Sequence, residues 1–424
     1  MKIVSVDIIT LKPQSTSAQT PVLVRIHTDE GIYGYGEAGV SIMNYSLGCV
    51  ELLRSFSRMI LGTDPLANDV IYSKLINSFW ARGNGGVILA AISAIDTALW
   101  DIKGKYFNVP IYKLLGGKHR DKLRCYASQL QNGWKYPDFH GAPGDLGFLK
   151  EACQLALEDG YDCVKIDFLA KHFDGSRISQ YEAQNHLLPA TMREIEKKLD
   201  VVRETIGEDV ELILENHCLS TANTAIQFGR LAENYRPMLL EEPANPLDAL
   251  DYRRIRDALS IPLATGERSY TRRGFLPLLQ EGLLDTIQPD LGNCGGITEG
   301  RKLADLAETF GANVQTHTCN TPISIAAALQ VEAAIPNFII HEHHTNNTLP
   351  FNTELPSSPT YIFKSKPAQT ALWRCSLETI SSNMMPSTTI TLKSTSTGSR
   401  STPNMSRRSQ PEKRQQLQER PRKN

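Results

Sequence analysis

Ionisable residues recur along the second half of this 424-residue chain at nearly constant intervals. Successive separations of 26, 26, 23, 27 and 25 residues divide a series that runs Glu215, Glu241, Glu267, Asp290, His317 and Glu342. A spacing of this length is typical of one strand plus one helix in a parallel α/β fold. Independent core packing would not place a carboxylate or an imidazole in every unit, so the series predicts a shared site.

The first three members of the series are glutamates, and their convergence would require a cation. Glu215, Glu241 and Glu267 would repel one another unless a positive ion lay between them. An all-oxygen ligand set suits Mg²⁺, which keeps open positions for substrate oxygens. We therefore predict a magnesium site at these three residues, against the alternative that each forms an ordinary salt bridge.

Two histidines supply candidate proton-transfer groups. His317 follows Asp290 by one unit, and an aspartate that orients an imidazole makes it a better general base. His217 lies two residues after Glu215, on the same face of its strand, and is the candidate general acid; the alternative is that it only supports Glu215. Lys165 either neutralises a substrate carboxylate or pairs with Asp167.

Together these groups define a reaction class. Glu342 either binds a carboxylate oxygen of the substrate or merely anchors the last strand. A metal that chelates a carboxylate favours removal of its α-proton, for which His317 is the predicted base. A protonated His217 would then expel a β-hydroxyl as water. Such a dehydration needs a polyhydroxy acid as substrate.

The elements that must position these residues change character near residue 120. Residues 1–120 predict an α+β domain, with strands near 3–9, 22–26 and 33–37 and helices near 46–61, 68–80 and 86–105. From residue 121 to 347, short β-rich runs alternate with amphipathic helices, which indicates a parallel sheet. Eight strands, enough to close a barrel, are predicted at 124–128, 163–168, 211–217, 238–243, 262–267, 286–290, 312–317 and 337–344.

Two segments do not fit this alternation. Residues 169–190 form a long insertion after the second barrel strand, in which His172, Tyr181 and His186 are possible but less favoured substrate contacts. The composition of the atypical segment 348–424 predicts a disordered basic tail from about residue 386. This tail contains nine Lys and Arg but only two Glu.

Composition excludes several classes of protein. Lys and Arg total 45 and Asp and Glu 46, and the basic tail has no interleaved aromatic residues, so we predict no nucleic-acid partner. The eight cysteines are scattered without a CxxC pair, which is typical of reduced thiols in a cytoplasmic protein. No signal peptide and no membrane span is predicted.

Several ordered motifs resemble the enolase superfamily, in particular its acid-sugar dehydratase branch. They are ISAIDTALWDIKG (92–104), LLGG (114–117), LEEP (240–243), GER (266–268), QPD (288–290), GGITE (295–299), His317 and Pro322-Ile323. The resemblance covers residues 1 to about 350 and implies an α/β fold, a (β/α)7β modified TIM barrel with an N-terminal α+β capping domain. It also implies Mg²⁺ at the three glutamates, His317 as base and His217 as acid. Capping-domain loops near 15–21 and 40–46 would close over the substrate.

Three departures from the family pattern bear on function. Racemases of the superfamily carry a second lysine where this chain has Asp167, so racemisation is disfavoured. Glu215 stands where aspartate is commoner, and the usual C-terminal return to the capping domain is not found after Asn347.

The predicted function is therefore that of a lyase: Mg²⁺-dependent dehydration of an aldonate such as gluconate, mannonate or galactonate to a 2-keto-3-deoxy acid, by a homo-oligomer. The alternatives are an epimerase or cycloisomerase of the same superfamily, or a member with an intact metal site and little or no turnover.

Overall fold

The computed structural model describes residues 1–10, 20–39, 45–81, 85–136 and 141–345, and the backbone of 388–391. All of these residues lie within one compact unit, Met1–Leu392. None of the described helices is both long and apolar enough to cross a membrane. Strands and helices are numbered below in chain order.

The N-terminal part is an antiparallel sheet covered by three helices. Strands β1 (Ile3–Thr10), β2 (Val22–Thr28) and β3 (Tyr33–Ala38) pair in sequence order. The helices are α1 (Tyr45–Ile60), α2 (Asn68–Asn77) and α3 (Gly86–Phe107). Apolar residues of these strands and helices form a hydrophobic core distinct from that of the barrel.

Helix α3 packs directly on β3 because that strand carries glycines. A Cβ atom on Gly36 would collide with the carbonyl oxygen of Ala94, so a larger residue would push the helix away from the sheet. The central residues of α3 are buried on almost every face, including the polar Ser93 and Asp96. Ser93 Oγ accepts the backbone N–H of Gly295 at 2.9 Å, and Asp96 binds the first turn of a barrel helix, as described below.

The second part is an eight-stranded parallel sheet with helices outside it. Its strands are β4 (Cys125–Ser128), β5 (Cys163–Ile166), β6 (Glu211–Glu215), β7 (Leu239–Glu241), β8 (Leu263–Thr265), β9 (Thr286–Ile287), β10 (Asn313–Val314) and β11 (His341–His344). The accompanying helices are α4 (Ile111–Leu114), α5 (Leu146–Glu158), α6 (Gln180–Asn185), α7 (Pro189–Ile206), α8 (Ala222–Ala232), α9 (Ala249–Ala258), α10 (Thr271–Gln280), α11 (Gly296–Thr309) and α12 (Pro322–Ala334). Every strand overlaps a position predicted from the sequence.

The sheet closes on itself into a barrel. Neighbouring strands pair in parallel from β10 back through β4, and β4 pairs in turn with β11. Between β10 and the approach to β11 the gap is closed by a parallel bridge from Val314 to Phe338. The predicted fold class, a (β/α)7β modified TIM barrel with an N-terminal α+β cap, is confirmed. The domain boundaries at residues 120 and 347 stay predictions.

The C-terminal segment departs from expectation in one place. Thr388–Thr391 form strand β12, antiparallel to β1, with Ser5 opposite Thr391. Disorder from about residue 386 is therefore wrong for these four residues, because a β-branched run favours a strand and β1 offers an edge on which it can pair. Residues 346–387 and 392–424 lie outside the described residues, as do 11–19 and 40–44 in the capping loops expected to close over substrate.

The insertion at 169–190 is not structureless. It contains an antiparallel bridge between Lys171 and Arg177, followed by α6. Helix α6 begins at Ser179, whose hydroxyl accepts the backbone N–H of Glu182. His172 bonds to Glu194 at 3.0 Å on α7, and Tyr181 and His186 are exposed. A local cap and local partners thus order a segment whose composition predicted a loop.

Two buried carboxylates of the cap bind the N-termini of barrel helices. Glu37 on β3 accepts the Thr321 hydroxyl at 2.6 Å and the backbone N–H groups of Thr321 and Ser324 at the start of α12. Asp96 on α3 likewise accepts the backbone N–H and the hydroxyl of Thr298 in the first turn of α11. Burial raises the pKa of both carboxyls to about 7, although these hydrogen bonds oppose the rise. The helix N-termini favour such negative partners.

We expect Glu37→Ala to lower the free energy of unfolding by about 3 kcal/mol, because it leaves buried donors at the start of α12 without an acceptor. Urea denaturation measures the change. As a control, the exposed Glu204 replaced by alanine should shift the value by less than about 0.5 kcal/mol. Equal effects of the two substitutions would show that the cap–barrel contact contributes little stability.

Candidate active site

The C-terminal ends of the barrel strands bring the predicted residues together. Glu215 and Glu241 are the last residues of β6 and β7 and lie opposite each other in register. Glu267 comes two residues after β8 ends, and a ligand oxygen from each of the three glutamates lies within 4.8 Å of the others. Parallel strands that end at one rim of a barrel place their terminal side chains in one site.

Lys165 lies inside this cluster of carboxylates. Its ammonium is 2.5 Å from Glu241 Oε1 and 3.0 Å from Glu215 Oε2 and Glu342 Oε1, and the side chain is 1% exposed. The alternative pairing of Lys165 with Asp167 is therefore wrong. Strand β5 directs the Lys165 side chain into the barrel, where the attraction of three carboxylates exceeds that of Asp167 alone.

The charge balance of the cluster fits a divalent cation. When Glu215, Glu241 and Glu342 are all ionised, the Lys165 ammonium leaves two of their three negative charges uncompensated. Burial and the neighbouring Glu215 raise the pKa of Glu241 well above its usual value, and Glu241 Oε2 is buried without a hydrogen-bond partner among the described residues. An orphaned carboxylate oxygen beside two others is a donor set that hard divalent metals prefer.

His317 is held between two carboxylates. Its Nδ1 lies 2.8 Å from Asp290 Oδ2, and its Nε2 lies 3.0 Å from Glu267 Oε2. Burial opposes protonation, but the charges of Glu267 and Glu342 outweigh it and raise the pKa of His317 well above its usual value. Because Asp290 engages Nδ1, Nε2 is the nitrogen directed at the carboxylate cluster.

His217 has the same arrangement on another wall of the barrel. Its Nδ1 is 2.7 Å from Asp167 Oδ2, and its backbone N–H donates to Glu215 Oε1. Burial opposes protonation, but the charge of Glu215 and the bond to Asp167 raise the pKa of His217 to about 10. The residue adopts φ = +47°, a left-handed conformation that a non-glycine residue holds only where its surroundings enforce it.

Glu342 faces the site from β11. Its oxygens accept hydrogen bonds from the Ser128 hydroxyl at 2.6 Å and the Thr318 backbone N–H at 2.8 Å, besides the contact with Lys165. Burial opposes ionisation, but Lys165 and His317 outweigh it and lower the pKa of Glu342. An ionised carboxylate only accepts hydrogen bonds, so Glu342 would act on a substrate carboxylate through Lys165; its role, substrate binding or strand anchoring, stays a prediction.

Four further polar residues lie at the site and were not predicted as site residues. Asn320 donates to Asp290 Oδ2 at 3.0 Å, and Arg268 forms ion pairs with Glu267 and Glu242. His344 extends from the same face of β11 as Glu342, and burial lowers its pKa to about 3. Gln129 contacts His217. Arg268 belongs to the recognised Gly-Glu-Arg motif, and the alternation of β11 indicates His344, whereas no sequence pattern indicates Asn320 or Gln129.

Comparison with known proteins agrees with this geometry. Residues 3–116 match the family model for the mandelate racemase/muconate lactonizing enzyme N-terminal domain, and residues 148–363 match the enolase C-terminal domain-like model. A D-gluconate dehydratase of Thermoproteus tenax is 33% identical over 78% of this chain, which spans 63% of that relative's length. A D-galactonate dehydratase of Variovorax paradoxus is 33% identical, covering 76% of this chain and 77% of the relative.

Solved structures give the same result. A member of the enolase superfamily from Salmonella Typhimurium has a TM-score of 0.80 at 41% sequence identity, with 84% of this chain and 90% of that chain covered. The N-terminal and C-terminal domain models thus match successive parts of the chain. The chain therefore belongs to the mandelate racemase/muconate lactonizing enzyme group of the enolase superfamily.

Proposed function

We propose that this protein is a Mg²⁺-dependent dehydratase that converts an aldonate into a 2-keto-3-deoxy acid. The observation that carries the proposal is a pair of imidazoles beside one carboxylate triad, each held at Nδ1 by its own aspartate. His317 with Asp290 and His217 with Asp167 supply two separate proton-transfer groups. Elimination of water needs both, one to accept a proton and one to donate it.

His317 accepts the proton in this proposal and must therefore be neutral, a state that a cation held by Glu267 and its neighbours would favour by offsetting the negative charge that raises its pKa. Asp290 holds Nδ1, so Nε2 is the nitrogen that takes the hydrogen from C2 of the substrate. The electron pair of that C–H bond is first delocalised into the substrate carboxylate, and it forms the C2–C3 double bond only when the C3–O bond breaks. Lys165, which is held by Glu342, orients the substrate carboxylate. A divalent cation held by Glu215, Glu241 and Glu267 would act as a Lewis acid toward that carboxylate.

His217 completes the reaction by donating its Nε2 proton to the hydroxyl on C3. The C3–O bond breaks, water leaves, and the resulting enol becomes the 2-keto-3-deoxy acid by tautomerisation. Asp167 stabilises the cationic imidazole before transfer. An aspartate at this position supports elimination over racemisation, because it offers no second base. The relatives named as gluconate and galactonate dehydratases support the same substrate class.

A screen of aldonic and aldaric acids with Mg²⁺, read out as 2-keto-3-deoxy product, tests the proposal. We expect at least one aldonate to be dehydrated by the wild-type protein and not by His317→Asn. A product formed without loss of water would favour the epimerase or cycloisomerase alternative. A folded, Mg²⁺-binding protein that converts no acid would favour the non-catalytic alternative. The expected homo-oligomer and cytoplasmic location stay predictions.

His217→Asn should separate the two chemical steps. We expect dehydration to fall by about 100-fold or more, the contribution typical of a general acid. Exchange of the C2 proton with solvent, which depends on His317, should continue. Proton NMR in D₂O measures exchange, and a keto-acid assay measures dehydration. The exposed His119 replaced by asparagine is the matched control, and parallel loss of both reactions in His217→Asn would contradict the assignment.

A further inference from the structure

Gln129 occupies an unusual position at the rim of the barrel. It follows directly after β4, is 5% exposed and has φ = +68°. A left-handed backbone at a non-glycine residue costs on the order of 1 kcal/mol or more and persists where other contacts enforce it. The backbone at Gln129 is therefore held in this conformation by its surroundings rather than by local preference.

Those neighbours form a closed ring of hydrogen bonds around the predicted acid. The backbone N–H of Asp167 donates to Gln131 Oε1 at 3.1 Å, and Gln131 Nε2 donates to Gln129 Oε1. Gln129 Nε2 lies 3.1 Å from His217 Nε2, and His217 Nδ1 lies 2.7 Å from Asp167 Oδ2. The ring thus starts and ends on Asp167.

One member of the ring fixes the direction of the amides. Asp167 contributes a backbone N–H, which can only donate, so Gln131 must present its oxygen there and its amide nitrogen to Gln129. Gln129 in turn must present its oxygen to Gln131 and its NH₂ group to His217 Nε2. The orientation of Gln129 follows from this chain rather than from a free choice between amide oxygen and nitrogen.

In this orientation His217 Nε2 accepts a hydrogen bond from the Gln129 amide. When Nε2 instead carries the proton that the acid donates, it is itself a donor, and both groups then point at an oxygen placed between them. Because Asp167 holds Nδ1 of His217, an oxygen that receives a proton from His217 must approach Nε2. It then lies within hydrogen-bonding reach of the Gln129 amide, which has a second N–H. His217 is 27% exposed, so its ring can be approached from the mouth of the site.

We propose that Gln129 is a specificity-determining residue that binds the leaving hydroxyl of the substrate, on C3 of an aldonate. The inference rests on the proposed function and deepens it. Gln131 is a positioning residue, which acts by holding the Gln129 amide with its NH₂ group toward the site. The side chain of Gln129 thereby selects acids that carry a hydroxyl at the carbon next to the one that loses its proton.

A binding comparison tests this assignment. D-Gluconate and D-galactonate, each with its 3-deoxy analogue, are titrated by calorimetry into the Mg²⁺-loaded protein in a His317→Asn background, so that nothing is consumed. Gln129→Met, which keeps the side-chain length, should raise the Kd of the hydroxylated acid by about 5- to 20-fold, the loss expected for one hydrogen bond. The Kd of the 3-deoxy analogue should change by less than about twofold.

Gln131→Met serves as the matched control, because it breaks the ring while leaving Gln129 in place. Its effect should be smaller than that of Gln129→Met but should again fall mainly on the hydroxylated acid, because the Gln129 amide is still present and only its orientation is no longer enforced. Equal weakening of both ligands by Gln129→Met would overturn the assignment and leave Gln129 a structural residue. If the wild-type protein dehydrates an aldonate but Gln129→Met raises the Kd of the acid and of its 3-deoxy analogue equally, only this inference fails. If no aldonate binds to the protein, the proposed function fails with it.

Discussion

Replacing His317 with asparagine is expected to abolish exchange of the C2 proton and to lower dehydration by at least about 1,000-fold, within the range for loss of a positioned general base. Asparagine keeps a side-chain amide near Asp290, which lies 2.8 Å from the imidazole, but it cannot accept a proton at neutral pH. Mg²⁺ affinity should stay nearly unchanged, because the three glutamates remain. Proton NMR in D₂O and calorimetric titration of Mg²⁺ measure the two quantities separately.

The exposed His186 provides the control for this substitution. His186→Asn changes the same atoms at a place with no described contact to the barrel mouth, so exchange and dehydration should both match wild type. Normal exchange in His317→Asn would remove His317 from the role of base. A large loss of Mg²⁺ affinity in the same variant would instead mean that His317 mainly supports Glu267, its neighbour at 3.0 Å.

Glu241→Gln should weaken metal binding and activity together. The substitution keeps the shape of the side chain but removes one of three converging negative charges, and it reduces the excess charge that Lys165 leaves uncompensated. Loss of a residue that only supports a metal ligand costs about 10- to 100-fold in affinity, so loss of a charged ligand should cost at least as much. Dehydration should fall in the same proportion at a fixed, limiting Mg²⁺ concentration.

Thermal unfolding with and without Mg²⁺ tests this prediction without an activity assay. A metal at 100 times its Kd stabilises the folded state by about 2.7 kcal/mol, and this gain should disappear in Glu241→Gln. Glu308→Gln alters an exposed glutamate on α11 and should retain the full gain. A Glu241→Gln protein that Mg²⁺ still stabilises like wild type would show that the cation binds elsewhere.

The local pattern of the sequence is sufficient to predict the barrel and most of the site. Strand and helix periodicities are short-range properties, so eight strands can be placed, and the ends of parallel strands meet at one rim by geometry. The same reasoning predicts that Glu215, Glu241 and Glu267 converge, and in the folded protein their ligand oxygens lie within 4.8 Å of one another.

Contacts between distant parts of the chain could be settled only by the tertiary structure. Sequence reasoning offered Lys165 a substrate carboxylate or Asp167, two residues away, as partners; no pattern indicated its contact with Glu241, 76 residues further along. Glu37 reaches Thr321 across 284 residues, and Gln129 reaches His217 across 88.

Strand β12 likewise depends on an open edge of a sheet formed almost 400 residues earlier. Periodicity determines which face of an element a side chain occupies, whereas its partner depends on how whole elements pack. The sequence by itself therefore determined the barrel, the carboxylate triad and the two histidines of this protein. Which buried charged groups and amides contact the triad and the two histidines depended on the tertiary structure, because those partners lie far away along the chain.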